Sequence, residues 1–292
     1  MNVRTISSMP SPLVETDWLA ENLESGDLHV IDCSVVMRPL ADGGYTFTGA
    51  AEEYAAGHIP GAVFADVLSE LSDADSALPM MLPKPAVFAA VMERLGVGTG
   101  SRVVLYDRSN HAWAARVWWM LRAYGFDAAS VLDGGWLKWS AEQRAVSTQI
   151  ESYPPGRFEP AYRRELIADK QTVREAIGAA DVCLINALSP EEHSGEQGRF
   201  PRRGRIADSS NVYCQSLIDP ETHAYRDSEQ LRELFAASGA LNADRTITYC
   251  GAGIAASSDA LALTALGAKN VAVYDGSLSE WTADSEAPME TG

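Results

Sequence analysis

Short runs of β-branched and aromatic residues alternate along the chain with amphipathic stretches of helical length. That alternation predicts an α/β protein whose open, mostly parallel sheets are covered by helices on both faces. The clearest unit is a strand over 103–106, a helix over about 112–124 and a strand over 130–132. Helix ends are readable too: Thr16 can cap "DWLAENL", Pro85 can open "PAVFAAVMERLG" and Gly96 can close it. A stretch rich in proline, glycine and aromatics, "SYPPGRFEPAY" (152–162), breaks the alternation. It divides the chain into a domain over 1–150, a linker over 151–165 and a domain over 166–292.

The same pattern occurs twice. "VVLYDRSNHAWAARVWWMLRAYGFDAASVLDGGWLKW" (103–139) lies over "TITYCGAGIAASSDALALTALGAKNVAVYDGSLSEW" (246–281). Tyr106 meets Tyr249 at an offset of 143, while Gly125 and Gly267, Asp133 and Asp275, and Trp139 and Trp281 each meet at 142. Earlier, "LHVIDCS" (28–34) matches "VCLINAL" (182–188), and "GHI" (57–59) matches "GRI" (204–206). A period this long means two copies of one fold, not a solenoid.

Composition narrows the function. The 292 residues are 46% hydrophobic and 22% charged, and the formal net charge is −17. A surface this acidic repels nucleic acid and anionic membranes, so an anionic substrate needs a local positive site. "MNVRTISSMPSPLVETDWL" has no apolar core of export length, and "AWAARVWWMLRAYG" (112–125) carries Arg116 and Arg122 and is too short to span a bilayer. A cytoplasmic protein is expected. Cys33, Cys183, Cys214 and Cys250 lie far apart without metal-ligand spacing, so neither a zinc site nor a disulfide framework is predicted.

The candidate chemistry sits at Cys250. It closes the β-run "TITYC" and leads through Gly251 and Gly253 into an alanine-rich helix. Chemistry in parallel sheets gathers at the carboxyl ends of strands. Two glycines let successive N–H groups curl inward as an anion nest, and the following helix N-terminus adds its positive end. These features favour a thiolate that can take up a second sulfur, held by the amides of Gly251, Ala252, Gly253, Ile254 and Ala255. The alternative is a small buried hydrophobe at a strand end. The corresponding position in the first half is Asp107, in a loop without glycine, which points to one active copy and one scaffold copy. A phosphatase loop would need arginine six residues after the cysteine, where Ala256 stands, and no GxGxxG follows an early strand.

Beyond this loop, "HIPGAVFAD" (58–66), "MLP" (81–83), "AARVWWMLRAYG" (114–125), "LDGGW" (132–136), "YCGAGIAA" and "YDGSLSEW" (274–281) recur in a fixed order. Together they resemble the tandem-rhodanese sulfurtransferases, the thiosulfate and 3-mercaptopyruvate sulfurtransferase family. The resemblance implies two rhodanese-like domains with a persulfide-forming cysteine only in the second, facing the cleft between them. It implies no metal and no organic cofactor. The partners are a small anionic sulfur donor and an acceptor such as cyanide, a thiol or a thioredoxin-like protein. The uncharged loop G-A-G-I-A-A resembles the mercaptopyruvate type. Ala252 stands where a serine is common, Leu188 where an arginine is common, and "GRIADSS" where "GHIPG" is usual. Arg199 and Arg202, from the cluster "GRFPRRGR", are the candidates for holding the donor carboxylate, with Arg116 as a further one. His58 of "GHIPG" matches a histidine proposed for proton transfer; its other reading is a structural hydrogen-bonder. Asp275 and Ser277 read as turn residues behind the loop, the tryptophans 118, 119, 136 and 139 as core and interface, and the remaining cysteines as inert. A sulfur-carrier or redox-sensing binding module without turnover is the competing function.

Overall fold

The computed structural model describes residue 9 and residues 11–40 and 45–292. The reading of an absent export segment therefore lies largely outside the described residues. The first domain contains β1 (Leu13–Val14), β2 (Leu28–Asp32), β3 (Val35–Pro39), β4 (Tyr45–Gly49), β5 (Ala62–Phe64), β6 (Arg102–Tyr106) and β7 (Ala129–Leu132). Its helices are α1 (Thr16–Asn22), α2 (Ala51–Ala56), α3 (Pro85–Arg94), α4 (Ala112–Ala123) and α5 (Gly135–Ala141). The sheet order is β1-β7-β6-β2-β5, all parallel, with β3 and β4 forming a separate antiparallel pair.

The second domain repeats the plan with β8 (Ile167–Ala168), β9 (Val182–Asn186), β10 (Arg205–Ile206), β11 (Ser210–Asn211), β12 (Arg245–Tyr249), β13 (Val271–Tyr274) and β14 (Met289–Glu290). Its helices are α6 (Lys170–Ala176), α7 (Pro190–Ser194), α8 (Ser228–Ala236), α9 (Ile254–Ala265) and α10 (Ser277–Trp281). The parallel sheet runs β11-β9-β12-β13-β8, and β10 pairs antiparallel with β14 beside it. Register agrees between the halves: Asp32 pairs with Tyr106 as Asn186 pairs with Tyr249. Each of those tyrosine hydroxyls accepts the isoleucine N–H of its own "GHI" or "GRI" element, at Ile59 (3.4 Å) and Ile206 (3.0 Å). The departure "ADSS" is accommodated there, because Ser209 Oγ takes up the Tyr249 hydroxyl at 2.6 Å.

β12 is buried on both faces from Thr246 to Tyr249, as a central parallel strand must be when helices cover each side. Pro85 stands in the first turn of α3 and Gly96 follows its end at φ +82°, as the sequence predicts. Thr16 does not cap α1. Glu15 holds the cap position without a side-chain bond, while the Thr16 hydroxyl donates to Glu142 across the domain at 2.6 Å. Residues 151–163 form no helix or strand and pack onto the first domain, where Gly156 and Ala161 donate to Glu93 O and Tyr124 O at 2.8 Å each. Among the described residues no helix is long and apolar enough to cross a membrane.

The domains meet along α4 and α9, and one apolar cluster runs through both, including Trp118, Trp119, Leu261 and Leu263. The polar joints are reciprocal. Asp275 of the second domain accepts the Leu82 N–H of the first at 2.7 Å, and Asp133 of the first accepts the Tyr225 N–H of the second at 2.7 Å. Met80 and His223, two residues before each donor, both hold positive φ, +58° and +61°. The fold's internal symmetry therefore makes each domain finish the other's turn.

Candidate active site

Cys250 follows β12 directly and is 2% exposed. Gly253, at φ +77°, turns the chain into α9. Any side chain there would strike Arg116 Nη1 and Asp275 Oδ1, so the close approach as well as the positive φ requires glycine. The loop rests on the β13–α10 turn: Leu278 N–H donates to Cys250 O and Ser279 N–H to Gly251 O, each at 3.0 Å. Ser277 supports it from below. Its Oγ accepts the N–H groups of Cys250 (3.1 Å) and Gly253 (3.2 Å) and donates to Tyr274 O (2.8 Å). To do so Ser277 adopts φ +48°, while its counterpart in the first domain is Gly135 at φ +51°. A non-glycine residue in that region is strained, and such strain collects at functional sites.

The Gly253 amide therefore points at Ser277 and not into the predicted cradle. The N–H groups of Gly251, Ala252, Ile254 and Ala255 have no protein acceptor among the described residues. The last two belong to the unsatisfied first turn of α9.

The first domain shows what such a ring holds. Asp107 ends β6 as Cys250 ends β12, and its main-chain oxygen accepts Trp136 N–H at 3.0 Å, as Cys250 O accepts that of Leu278. One Asp107 carboxylate oxygen accepts the N–H of Ser109 (2.8 Å) and His111 (3.2 Å) and the Ser109 hydroxyl (3.1 Å). The other accepts the N–H of Trp113 and Ala114, both at 3.0 Å, in the first turn of α4. Buried and ringed by amides, this carboxylate needs no cation.

The candidate side chains divide. Arg199 reaches the loop: its Nη2 stands 3.4 Å from where a Gly251 Cβ would be, and Phe200 Cζ stands 2.9 Å from the same point. The Phe200 ring leaves room only for glycine at 251, and the arginine lies beside it, 5.5 Å from guanidinium carbon to ring centroid. Phe200 was not legible as a site residue, since nothing in sequence separates it from the flanking arginines. Arg202 is turned away: its Nη1 donates to Asp284 O (2.7 Å) and Ala287 O (2.8 Å). Arg116 is fully buried in the interface, paired with Asp275 at 2.6 Å and donating to Met80 O at 2.7 Å. It joins the domains and backs Gly253, with its guanidinium committed to Asp275 and Met80 O.

His58 is likewise committed to contacts within the fold. Wholly buried and stacked on Tyr54, it sets its ring nitrogens against Tyr54 O (2.8 Å) and Gln149 O (3.0 Å), both in its own half of the chain. Leu188 is buried behind Asn186, whose Oδ1 accepts its N–H at 2.9 Å. Burial pushes the Cys33 and Cys214 thiols well up and Cys183 up to about 11, which favours the protonated thiol over the thiolate at all three. Cavities of about 470 and 460 Å³ lie against the linker, lined by Gly98, Thr99 and Arg157, and no residue of the Cys250 loop borders either.

The Rhodanese-like domain family matches residues 15–142 and again 169–284. The 3-mercaptopyruvate sulfurtransferase of Escherichia coli (strain K12) is 34% identical over 285 residues, covering 95% of this chain and 97% of the relative. The thiosulfate sulfurtransferase of Cricetulus griseus is 32% identical over 289 residues, covering 96% and 94%. The crystal structure of SseA from Escherichia coli superposes with a TM-score of 0.81 at 32% identity, over 91% of this chain and 98% of that one. With both sheets matched and relatives aligned from end to end, the chain belongs to the rhodanese family and is a sulfurtransferase of two tandem rhodanese domains.

Proposed function

We propose that Cys250 carries the transferred sulfur as a persulfide, that the free amides of its loop hold the outer sulfur, and that Arg199 receives the donor's anionic group. The observation that carries this reading is the Asp107 carboxylate in the matching loop. From Cβ, an aspartate extends two heavy atoms to an anionic oxygen, and a cysteine persulfide extends two heavy atoms to an anionic sulfur. The first domain thus holds an internal analogue of the intermediate that the second would form.

In the first half-reaction the Cys250 thiolate attacks the thiol sulfur of 3-mercaptopyruvate. The carbon–sulfur bond breaks, its electron pair leaves on the pyruvate enolate, and the proton of the donor thiol, passed on through water, completes pyruvate and leaves the persulfide as its anion. With thiosulfate the same attack on the outer sulfur releases sulfite, and three negative charges stand on each side. A thiolate or cyanide acceptor then attacks the outer sulfur and returns Cys250 as thiolate. The uncharged loop with Arg199 at its mouth favours a monocarboxylate donor over a compact dianion, so 3-mercaptopyruvate is the assigned donor and a thiol, free or on a thioredoxin-like protein, the acceptor.

Two measurements test this. Mass spectrometry after donor treatment must place one added sulfur on the Cys250 peptide, and Cys250→Ser must abolish both adduct and turnover. The ratio of kcat/KM for 3-mercaptopyruvate to that for thiosulfate must exceed one; a ratio below one reverses the donor assignment.

A further inference from the structure

The loop bearing Arg199 and Phe200 is pinched shut at its base. Gly195 and Gly204 hold φ +85° and +102°, and a Cβ on Gly195 would lie 3.2 Å from Gly204 N and 3.0 Å from Thr291 Cγ2. A Cβ on Gly204 would run into the Glu290 carbonyl oxygen. Residues 284–292 therefore occupy the neck of this loop, and they grip it at three levels. At its start, Gly292 N–H donates to Ser194 O at 2.9 Å. In its middle, one Arg202 nitrogen spans Asp284 O and Ala287 O. At its end, β10 pairs with β14, Arg205 Nη1 donates to Gly292 O (2.6 Å), and Arg205 meets Glu290 at 3.2 Å. The gripping segment is itself anchored, since Asp284 accepts Lys170 (2.7 Å) and Arg174 (3.1 Å), and Trp281 Nε1 donates to Pro288 O (3.0 Å). Arg199 itself is exposed and has no carboxylate partner among the described residues.

We infer that residues 284–292, acting chiefly through Arg202, are a positioning element for donor recognition: they hold the Arg199–Phe200 loop over Gly251 so that the guanidinium stands at the mouth of the Cys250 loop. This rests on the reading of Arg199 as the partner of the donor's anionic group. The physical reason is entropic. A long exposed side chain on an untethered loop spends little time in one place, and a surface charge contributes little unless it is held. Fixing the loop three residues away converts Arg199 from a diffuse charge into a directed one.

The test uses the full chain and two alkylating probes of similar size, anionic iodoacetate and neutral iodoacetamide, with adduct formation followed on the Cys250 peptide. Arg199→Ala should lower the iodoacetate-to-iodoacetamide rate ratio by about five- to tenfold. Arg202→Ala should lower it by a similar factor, the double variant no further, and Arg202→Lys should recover most of it, because an ammonium can still span the two carbonyls. In turnover the Arg202→Ala loss should appear in KM for the anionic donor more than in kcat. Cutting the chain after Pro288 removes β14 and the Gly292 contacts but keeps the Arg202 acceptors; it must also lower the ratio, and it gives a second reading should Arg202→Ala fail to fold. A wild-type ratio in Arg202→Ala and the truncated chain, with a lowered ratio in Arg199→Ala, overturns the positioning role and leaves the donor assignment standing. Additive losses in the double variant overturn it as well. An unchanged ratio in Arg199→Ala removes the donor assignment itself, and this inference with it.

Discussion

Arg116 of the first domain and Asp275 of the second form a buried ion pair of 2.6 Å directly beneath Gly253. Through it the two domains share one electrostatic joint at the floor of the Cys250 loop. Replacing Arg116 with Met leaves the Asp275 carboxylate buried without its cation, which costs about 3–5 kcal/mol. Urea denaturation should show that loss, and adding Asp275→Asn to Arg116→Met should recover part of it. Equal stabilities for the wild type and Arg116→Met would mean that the pair does not hold the interface.

Ser277 separates strain from function. Ser277→Gly relieves the positive φ while removing the oxygen that accepts two loop amides, so the two effects on stability oppose each other and Tm should move little. The loop loses its support, and kcat/KM should fall about tenfold. Ser277→Ala keeps the strain and loses the bonds, so it should unfold more easily by about 1–3 kcal/mol. Full activity in Ser277→Gly would remove the hydroxyl from the mechanism.

Asp107 makes the opposite prediction. Asp107→Asn exchanges one accepting oxygen for an NH₂ that faces amide donors, and the charge-assisted bonds lost are worth about 1.5–3 kcal/mol. Thermal unfolding should register this, whereas sulfur transfer per folded molecule should persist because Cys250 lies in the other domain. A variant of unchanged stability would show that the first-domain ring does not need its anion.

Asp259, within α9, is fully buried and neither carboxylate oxygen has a hydrogen-bond partner among the described residues. Burial alone raises its pKa well above the ordinary carboxyl range. The native state thus retains a proton that the unfolded chain releases above about pH 4. Its contribution to stability is complete below that point and is lost as pH rises toward the folded-state value, with a slope approaching about 1.4 kcal/mol per pH unit. Asp259→Asn cannot titrate and should flatten the decline that sets in above about pH 4 in urea titrations. If the slope survives in the variant, another group causes it.

Much of this was visible in the chain itself. The doubled strand–helix rhythm, the break near 152–162 and the C-G-x-G turn at a strand end all follow from local periodicity and backbone freedom, which the residues express wherever they fold. The amino acids alone therefore determined the repeated α/β plan, the placing of a cysteine at position 250 where the first copy has Asp107, and the glycine-bearing turn that follows it. Only folding decided which arginine meets the site. Arg199 and Arg202 are three residues apart in one basic run, yet one faces Gly251 and the other is drawn off by the carbonyls of Asp284 and Ala287. The same holds for His58 and Arg116, which pair with Gln149 O and Asp275, and for the reach of Met80–Leu82 across to the opposite domain. These outcomes depend on contacts between residues tens to hundreds of positions apart, where the competition among acceptors is settled by three-dimensional packing and leaves no trace in spacing.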